Sequence, residues 1–320
     1  MEKIRWGIIG CGKVTEVKSG PAFQNATNSE LVAVMRRNAD LAKDYAERHH
    51  VARWYDDAAA LIADTGVDAV YVATPPGNHK EFAILAARAG KPVYVEKPMA
   101  LHFKECQDMI NVCEEAGVPL FVAYYRRALP RFLLIKKWID ENTIGQVRFV
   151  NTTFYKRPFE TDLKGVEHWR VQPNIPGGYF SDLASHTLDI LQFFLGMIIS
   201  AQGQGSNQAN LYQNDDIVSG SFLFASGAHG TGTWCFSAFG DVDRTEIVGE
   251  KGKITFATFG NEPLLLETSS GIQTVQAENP LHIQQPLIQT IVDELLGKGK
   301  CPSTGRTAAR TNWAMDRILS

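Results

Sequence analysis

Five short apolar runs separated by helix-like segments occupy the first 123 residues, and this alternation constrains the fold more than any other feature. The runs are Ile4–Ile9, Leu31–Met35, Ala69–Ala73, Pro92–Val95 and Pro119–Ala123. Each is too short for a helix and suits a strand buried on both faces. Between them Asp40–His49, Asn78–Ala89 and Phe103–Ala116 carry apolar residues at helical spacing. Ala-Gly-Lys-Pro at 89–92 and Ala-Gly-Val-Pro at 116–119 place Gly, then Pro, where a helix should stop and a strand begin. Repeated β–α alternation predicts an α/β, doubly wound parallel sheet.

Beyond about residue 145 the rhythm changes. Val147 and Phe149 flank Arg148, and Val218–Ala225, His229–Phe236, Arg244–Val248 and Lys253–Ala257 read as period-two strands punctuated by glycines. Helical segments remain at Leu133–Glu141, Ser181–Leu195, Pro286–Leu296 and Arg306–Leu319, and the Ile190–Ile199 stretch reads as buried helix. The expected organisation is a Rossmann domain over 1–123 and, over 124–320, an α+β domain with a large, mostly antiparallel open sheet for substrate binding and self-association. A homodimer or homotetramer is expected, since an open sheet with an apolar face is often buried by self-association.

Composition narrows the partners. The 320 residues carry 32 Lys and Arg against 35 Asp and Glu, a net charge of −3 without basic blocks, which argues against nucleic acid or a polybasic membrane surface. The apolar part of the uncharged stretch after Ile190 is too short to span a bilayer. The N-terminus lacks a secretory pattern, and five cysteines show no CxxC pair. A cytoplasmic protein is expected.

The first run leads directly into Gly10-Cys-Gly-Lys-Val-Thr15. Gly10 and Gly12 fit the first two glycines of a dinucleotide fingerprint, one for the tight turn and one for backbone approach to pyrophosphate, whereas the third position holds Thr15. Lys13 and Val14 belong to the same turn and count as candidate cofactor contacts. The second run ends in Arg36, Arg37 and Asn38, where an NAD site usually carries a carboxylate for the ribose hydroxyls. Two guanidiniums suit the 2′-phosphate of NADP. NADP is thus the preferred cofactor, with NAD open because Asn38 offers a ribose partner.

The third run ends Ala73-Thr-Pro-Pro-Gly-Asn-His79 and the fourth Val95-Glu-Lys-Pro98. With the glycine turn, Ala123-Tyr-Tyr-Arg-Arg127, His168-Trp-Arg170 and Gly177-Gly-Tyr-Phe-Ser-Asp-Leu-Ala-Ser-His186, they make the chain resemble, over nearly its whole length, the glucose–fructose oxidoreductase, inositol dehydrogenase and rhizopine-catabolism (Gfo/Idh/MocA) family. The resemblance implies NAD(P)-linked oxidation or reduction of a sugar, polyol or cyclic diol. It implies that Lys97 bonds the reacting oxygen beside the nicotinamide, that His186 transfers the proton, and that Asp182 is its partner in the substrate pocket. It further implies cofactor contacts at Thr74, Pro75, Asn78, His79 and Glu96, and from Trp169 and Arg170 of the second domain. Tyr125 and Arg126 are candidates for the substrate cleft.

The residue chemistry is consistent with that. Alcohol oxidation needs a base and stabilisation of the alkoxide; Asp182 and His186, four residues apart, share one helix face. Plainer readings stay open: a surface lysine at 97, a packed histidine at 186, a helix cap at His79 and an interdomain salt-bridge surface at Tyr125–Arg127. No third ligand stands near Asp182 and His186, so no metal is expected. Two other functions remain: a nicotinamide-dependent glycosidase working by transient oxidation and elimination, and a non-catalytic NAD(P)-sensing protein.

Overall fold

The computed structural model describes residues 2–320. Its first strands and helices follow in the order β1 (Ile4–Ile9), α1 (Gly20–Asn25), β2 (Ser29–Met35), α2 (Ala39–Arg48), β3 (Arg53–Tyr55), α3 (Ala58–Ala63), β4 (Ala69–Val72), α4 (His79–Arg88), β5 (Val93–Val95), α5 (Phe103–Glu115) and β6 (Leu120–Val122). The six strands form one sheet in the order β3-β2-β1-β4-β5-β6, and every pair is parallel. This order reverses beside β1, which creates a crevice outside the carboxyl ends of β1 and β4. Strands β1, β4, β5 and β6 bury nearly every residue, as a sheet covered on both faces requires. Trp6, Phe23, Tyr71 and Tyr94 pack one face, with Tyr71 and Tyr94 stacked at 4.7 Å. Helix α1, strand β3 and helix α3 are additions to the sequence expectation.

The second group of elements is α6 (Pro130–Asp140), β7 (Val147–Tyr155), α7 (Glu160–Leu163), α8 (Gly178–Leu195), β8 (Ile198–Ser206), β9 (Ile217–Phe224), β10 (His229–Cys235), β11 (Val242–Gly249), β12 (Gly252–Phe256), β13 (Leu264–Thr268) and β14 (Gly271–Val275). Its eight strands run β14-β13-β12-β11-β7-β10-β9-β8. All pairs are antiparallel except β7 with β10. Helix α8 is buried along nearly its whole length, as its apolar circumference demands; Phe180 and Phe194 meet Trp234 and Phe256 of the sheet. The expected helix through Ile199 is corrected here. Gly196, at φ +88°, ends α8, and Ile198 opens edge strand β8.

Two last helices, α9 (Gln285–Leu295) and α10 (Gly305–Ile318), complete the chain. One compact unit comprises Met1–Leu129 with Pro280–Ala309, and the other Pro130–Asn279 with Arg310–Ser320. The expected linear division after residue 123 takes no account of this return. Residues 280–309 are bound into the first unit by polar contacts: Ser303 Oγ donates to Val122 O at 2.7 Å, and Gln289 accepts from Thr27 N at 2.7 Å. No helix among the described residues is long and apolar enough to cross a membrane.

Candidate active site

In the first unit a cleft of about 580 Å³ opens at the carboxyl ends of β1, β2 and β4. Gly10, Gly12, Arg36, Arg37, Thr74, Pro75 and Asn78 line it. Gly10 adopts φ +95°, and a Cβ there would lie 2.9 Å from the Thr74 nitrogen, so only glycine lets β1 turn this close to the end of β4. At Gly12 the nearest atom to such a Cβ is Gly10 O, at 3.9 Å. Packing therefore does not demand glycine at 12, and its backbone is open to the close approach of a ligand. These walls fit a dinucleotide. Lys13 and Val14 are exposed on the same turn, outside the lining of the cleft.

Thr15, at the third fingerprint position, is fully buried. Its hydroxyl donates to Gly12 O at 2.8 Å, its own carbonyl accepts from Tyr45 at 2.9 Å, and it begins a π-helical turn over Thr15–Ser19. At the end of that turn Gly20 leaves no room for a side chain: a Cβ there would sit 2.3 Å from Thr15 O and 2.4 Å from the Tyr45 hydroxyl. Arg36 and Arg37 are exposed and line the cleft together with one acidic residue, Glu81. Asn38 Oδ1 accepts from Leu41 N at 3.0 Å and caps α2.

Two expected cofactor contacts have other positions. His79 is completely buried, with Nε2 2.7 Å from Thr74 O and Nδ1 3.0 Å from Pro98 O. It is a strut joining the loops after β4 and β5, and burial pushes its pKa down. Glu96 is also buried. Its Oε1 accepts from Tyr71 at 2.6 Å and Gln284 at 2.8 Å, and its Oε2 from the Lys97 amide at 3.1 Å. Both side chains act as internal supports that fix the chain on either side of Lys97. Gln284, which sequence reasoning missed, arrives from the C-terminal return without any motif. The Lys97–Pro98 peptide is cis, and Lys97 is half-buried.

Tyr125 and Arg126 lie in a buried 3₁₀ turn after β6, with the Arg126 guanidinium 5.0 Å from the Tyr125 ring centre. Arg126, Lys18 and Lys97 draw the Tyr125 phenol below its usual range, against its burial. Arg127 donates to Pro302 O at 3.0 Å. All three residues are buried.

In the second unit Asp182 and His186 lie one turn apart on α8, 3% and 4% exposed. Asp182 Oδ2 accepts from Arg170 Nε at 2.6 Å, and the same guanidinium lies 4.4 Å from the Trp169 ring centre. The Phe259 ring meets His186 edge-on at 5.6 Å. A buried carboxylate held by Arg one helical turn from a histidine is an arrangement chemically able to exchange a proton with a hydroxyl group. Gly177 and Gly178, at φ +67° and +45°, make the close entry into α8; a Cβ on Gly178 would lie 2.4 Å from Arg170 O and 2.7 Å from Asn214 Nδ2. Gly178→Ala should therefore cost about 1–3 kcal/mol through backbone strain and displace Arg170. Urea denaturation checks this, and an unchanged midpoint would show that the loop absorbs the methyl group.

Among the described residues no group of three or more His, Cys, Asp or Glu side chains is placed to hold a metal.

The comparisons with known proteins agree with these two halves. Residues 4–124 match the oxidoreductase family with NAD-binding Rossmann fold, and residues 132–255 match the GFO/IDH/MocA C-terminal domain. Oxidoreductase P35 of Formosa agariphila is 42% identical over 317 residues, covering 98% of each chain. The chain belongs to the GFO/IDH/MocA oxidoreductase family. Among other members, the scyllo-inositol 2-dehydrogenase (NAD(+)) of Bacillus subtilis is 27% identical over 275 residues, 84% of this chain and 78% of that one. The structure of a levoglucosan dehydrogenase in complex with NADH and levoglucosan superposes with a TM-score of 0.88 at 22% identity, covering 99% of this chain and 96% of that one. Membership makes the chain a nicotinamide-dependent oxidoreductase, and the fold matches the family: a parallel six-stranded sheet followed by a mostly antiparallel eight-stranded one.

Proposed function

We propose that the enzyme transfers hydride between NADP, or less favourably NAD, and a hydroxyl-bearing carbon of a sugar, polyol or cyclic diol. The observation that carries this reading is the glycine-walled cleft, with Arg36 and Arg37 where a ribose-binding carboxylate would otherwise stand. The relatives that act on scyllo-inositol and levoglucosan support the substrate class.

Nicotinamide supplies the hydride acceptor or donor; the chain must supply the rest. Gly10 and Gly12 admit the pyrophosphate to the backbone, and Thr74, Pro75 and Asn78 bound the cofactor on the β4 side. Lys97, its backbone set by Glu96, lowers the energy of the substrate oxygen as negative charge develops there. His186 takes or returns the hydroxyl proton, and Asp182, held by Arg170, orients the substrate beside it. Trp169 and Tyr125 bound the ligands in their respective units.

The test is a panel of sugars, inositols and diols with each cofactor, followed by absorbance of the reduced nicotinamide. NADP should bind more tightly than NAD, and Arg36→Asp should reverse or narrow the preference. Equal affinity for both cofactors, unchanged in the variant, would remove the NADP assignment. A bound cofactor that never changes its net redox state while a glycoside is cleaved would replace the dehydrogenase reading by the glycosidase one.

A further inference from the structure

Thr258, Phe259 and Gly260, in the connection between β12 and β13, turn their backbone amides toward one carboxylate. Asp243 of β11 accepts through Oδ1 from Thr258 N at 2.9 Å, and through Oδ2 from Phe259 N at 2.6 Å and Gly260 N at 3.1 Å. Charge-assisted bonds of this kind are stronger than neutral ones, and successive amides on one anion hold a turn in a single shape. The carbonyls of the same connection are held as well. The buried Arg131 guanidinium of α6 donates to Gly260 O and, at 3.0 Å, to Glu262 O.

This braced turn carries an aromatic ring against α8. The Phe259 ring lies 5.1 Å from that of Phe154 and 5.6 Å from that of His186, at 85° to the imidazole. Phe154 is the register partner of Asp243 on β7, so the ring behind Phe259 and the carboxylate that holds its amide stand side by side on neighbouring strands. Thr187, next to His186, donates to the buried Thr258 hydroxyl at 3.4 Å. All of these residues belong to the second unit.

We propose that Asp243 is a positioning residue for the proton transfer at His186, acting through the 258–260 turn and the Phe259 ring. It touches no reacting atom. It fixes the ring against which the imidazole packs, and thereby the direction in which the imidazole nitrogens face a bound hydroxyl. Without the carboxylate, water binds the three amides but does not hold the turn, and the imidazole gains freedom to swing. Proton transfer tolerates little of this, since a misplacement of about 1 Å costs about 10²-fold in rate. The proposal rests on His186 being the proton-transfer residue.

NMR of the full chain labelled with ¹³C at histidine Cε1 tests it, the His186 resonance being the one missing from His186→Ala. The Phe259 ring current displaces that resonance. Phe259→Leu, which keeps an apolar contact, should move it, and Asp243→Ala should move it in the same direction with the ring still in the chain. Asp243→Asn, which retains one acceptor oxygen, should fall between wild type and Asp243→Ala. On the substrate identified by the panel, Asp243→Ala should lower kcat about 10- to 10²-fold and leave the cofactor dissociation constant unchanged. Combined with Phe259→Leu it should cost little more than either alone, because residues that act through one another are not additive. Should Asp243→Ala not fold, Asp243→Asn and Phe259→Leu carry both measurements. A His186 resonance that stays in place, an unchanged kcat in a variant that moves it, or effects that add in full would overturn the positioning role and leave the proton-transfer reading standing. Near-wild-type turnover in His186→Ala would take both down together.

Discussion

His186→Ala should turn over its substrate about 10²–10⁴ times more slowly than the wild type, the range expected when a positioned acid–base group is lost. The side chain stands mid-way along an 18-residue buried helix, with the Phe259 ring against it, so its position is set by the scaffold and not by a mobile loop. Near-neutral proton exchange is natural to imidazole, whose unperturbed pKa is about 6.5. Asp182 is already held by Arg170 and so is poorly placed to replace it. The cofactor dissociation constant should change little, because the glycine-walled cleft belongs to the first unit. The pH profile of kcat/KM should also lose the limb that belongs to the histidine. Removing a buried ring leaves a cavity, so stability must be measured alongside. Near-wild-type turnover in a folded variant would reduce His186 to a packing residue.

The β–α alternation of the first half was readable because its strands are buried on both faces and its helices end on Gly and Pro. Strand β3, Arg53–Tyr55, has three residues, none of them buried, and so few positions carry no period. The helix ending at Gly196 was over-extended because Ile198 and Ile199 continue an apolar run; composition does not distinguish a buried helix end from the start of an edge strand. At the site, position was legible and direction was not. Glu96 and His79 stand where a ligand contact would stand, yet their side chains turn inward to Tyr71, Gln284, Thr74 O and Pro98 O. A strand end reveals which residues reach the crevice, whereas the rotamer that decides between ligand and scaffold depends on partners far along the chain. Gln284 meets Glu96 across 188 residues. Arg170 was legible as part of a motif, but its bond to Asp182 follows from Gly178, whose missing Cβ lets the two segments approach.

Lys97→Met should leave a folded protein that still binds cofactor and loses roughly two to three orders of magnitude in kcat. Methionine keeps the length and apolar volume of the lysine stem and removes only the charge. The backbone around it is braced independently of the ammonium group: the Lys97 amide donates to Glu96 Oε2 at 3.1 Å, and Pro98 O lies 3.0 Å from the buried His79 ring. Those contacts persist in the variant, so the fold of the β5 loop should be retained. What disappears is the positive charge that the proposed mechanism sets against an oxygen becoming alkoxide-like as hydride leaves carbon. Such a donor in a site shielded from water contributes about 3–4 kcal/mol to the transition state, because it is already oriented when the charge develops. The loss should appear in kcat more than in the KM of either ligand, since a neutral hydroxyl in the ground state gains much less from the ammonium than an alkoxide does. Steady-state kinetics on whichever polyol or sugar the panel identifies reads the split. Turnover of that substrate by Lys97→Met at the wild-type rate would show that the reacting oxygen is stabilised by some other group, and the mechanism proposed here would fall with it.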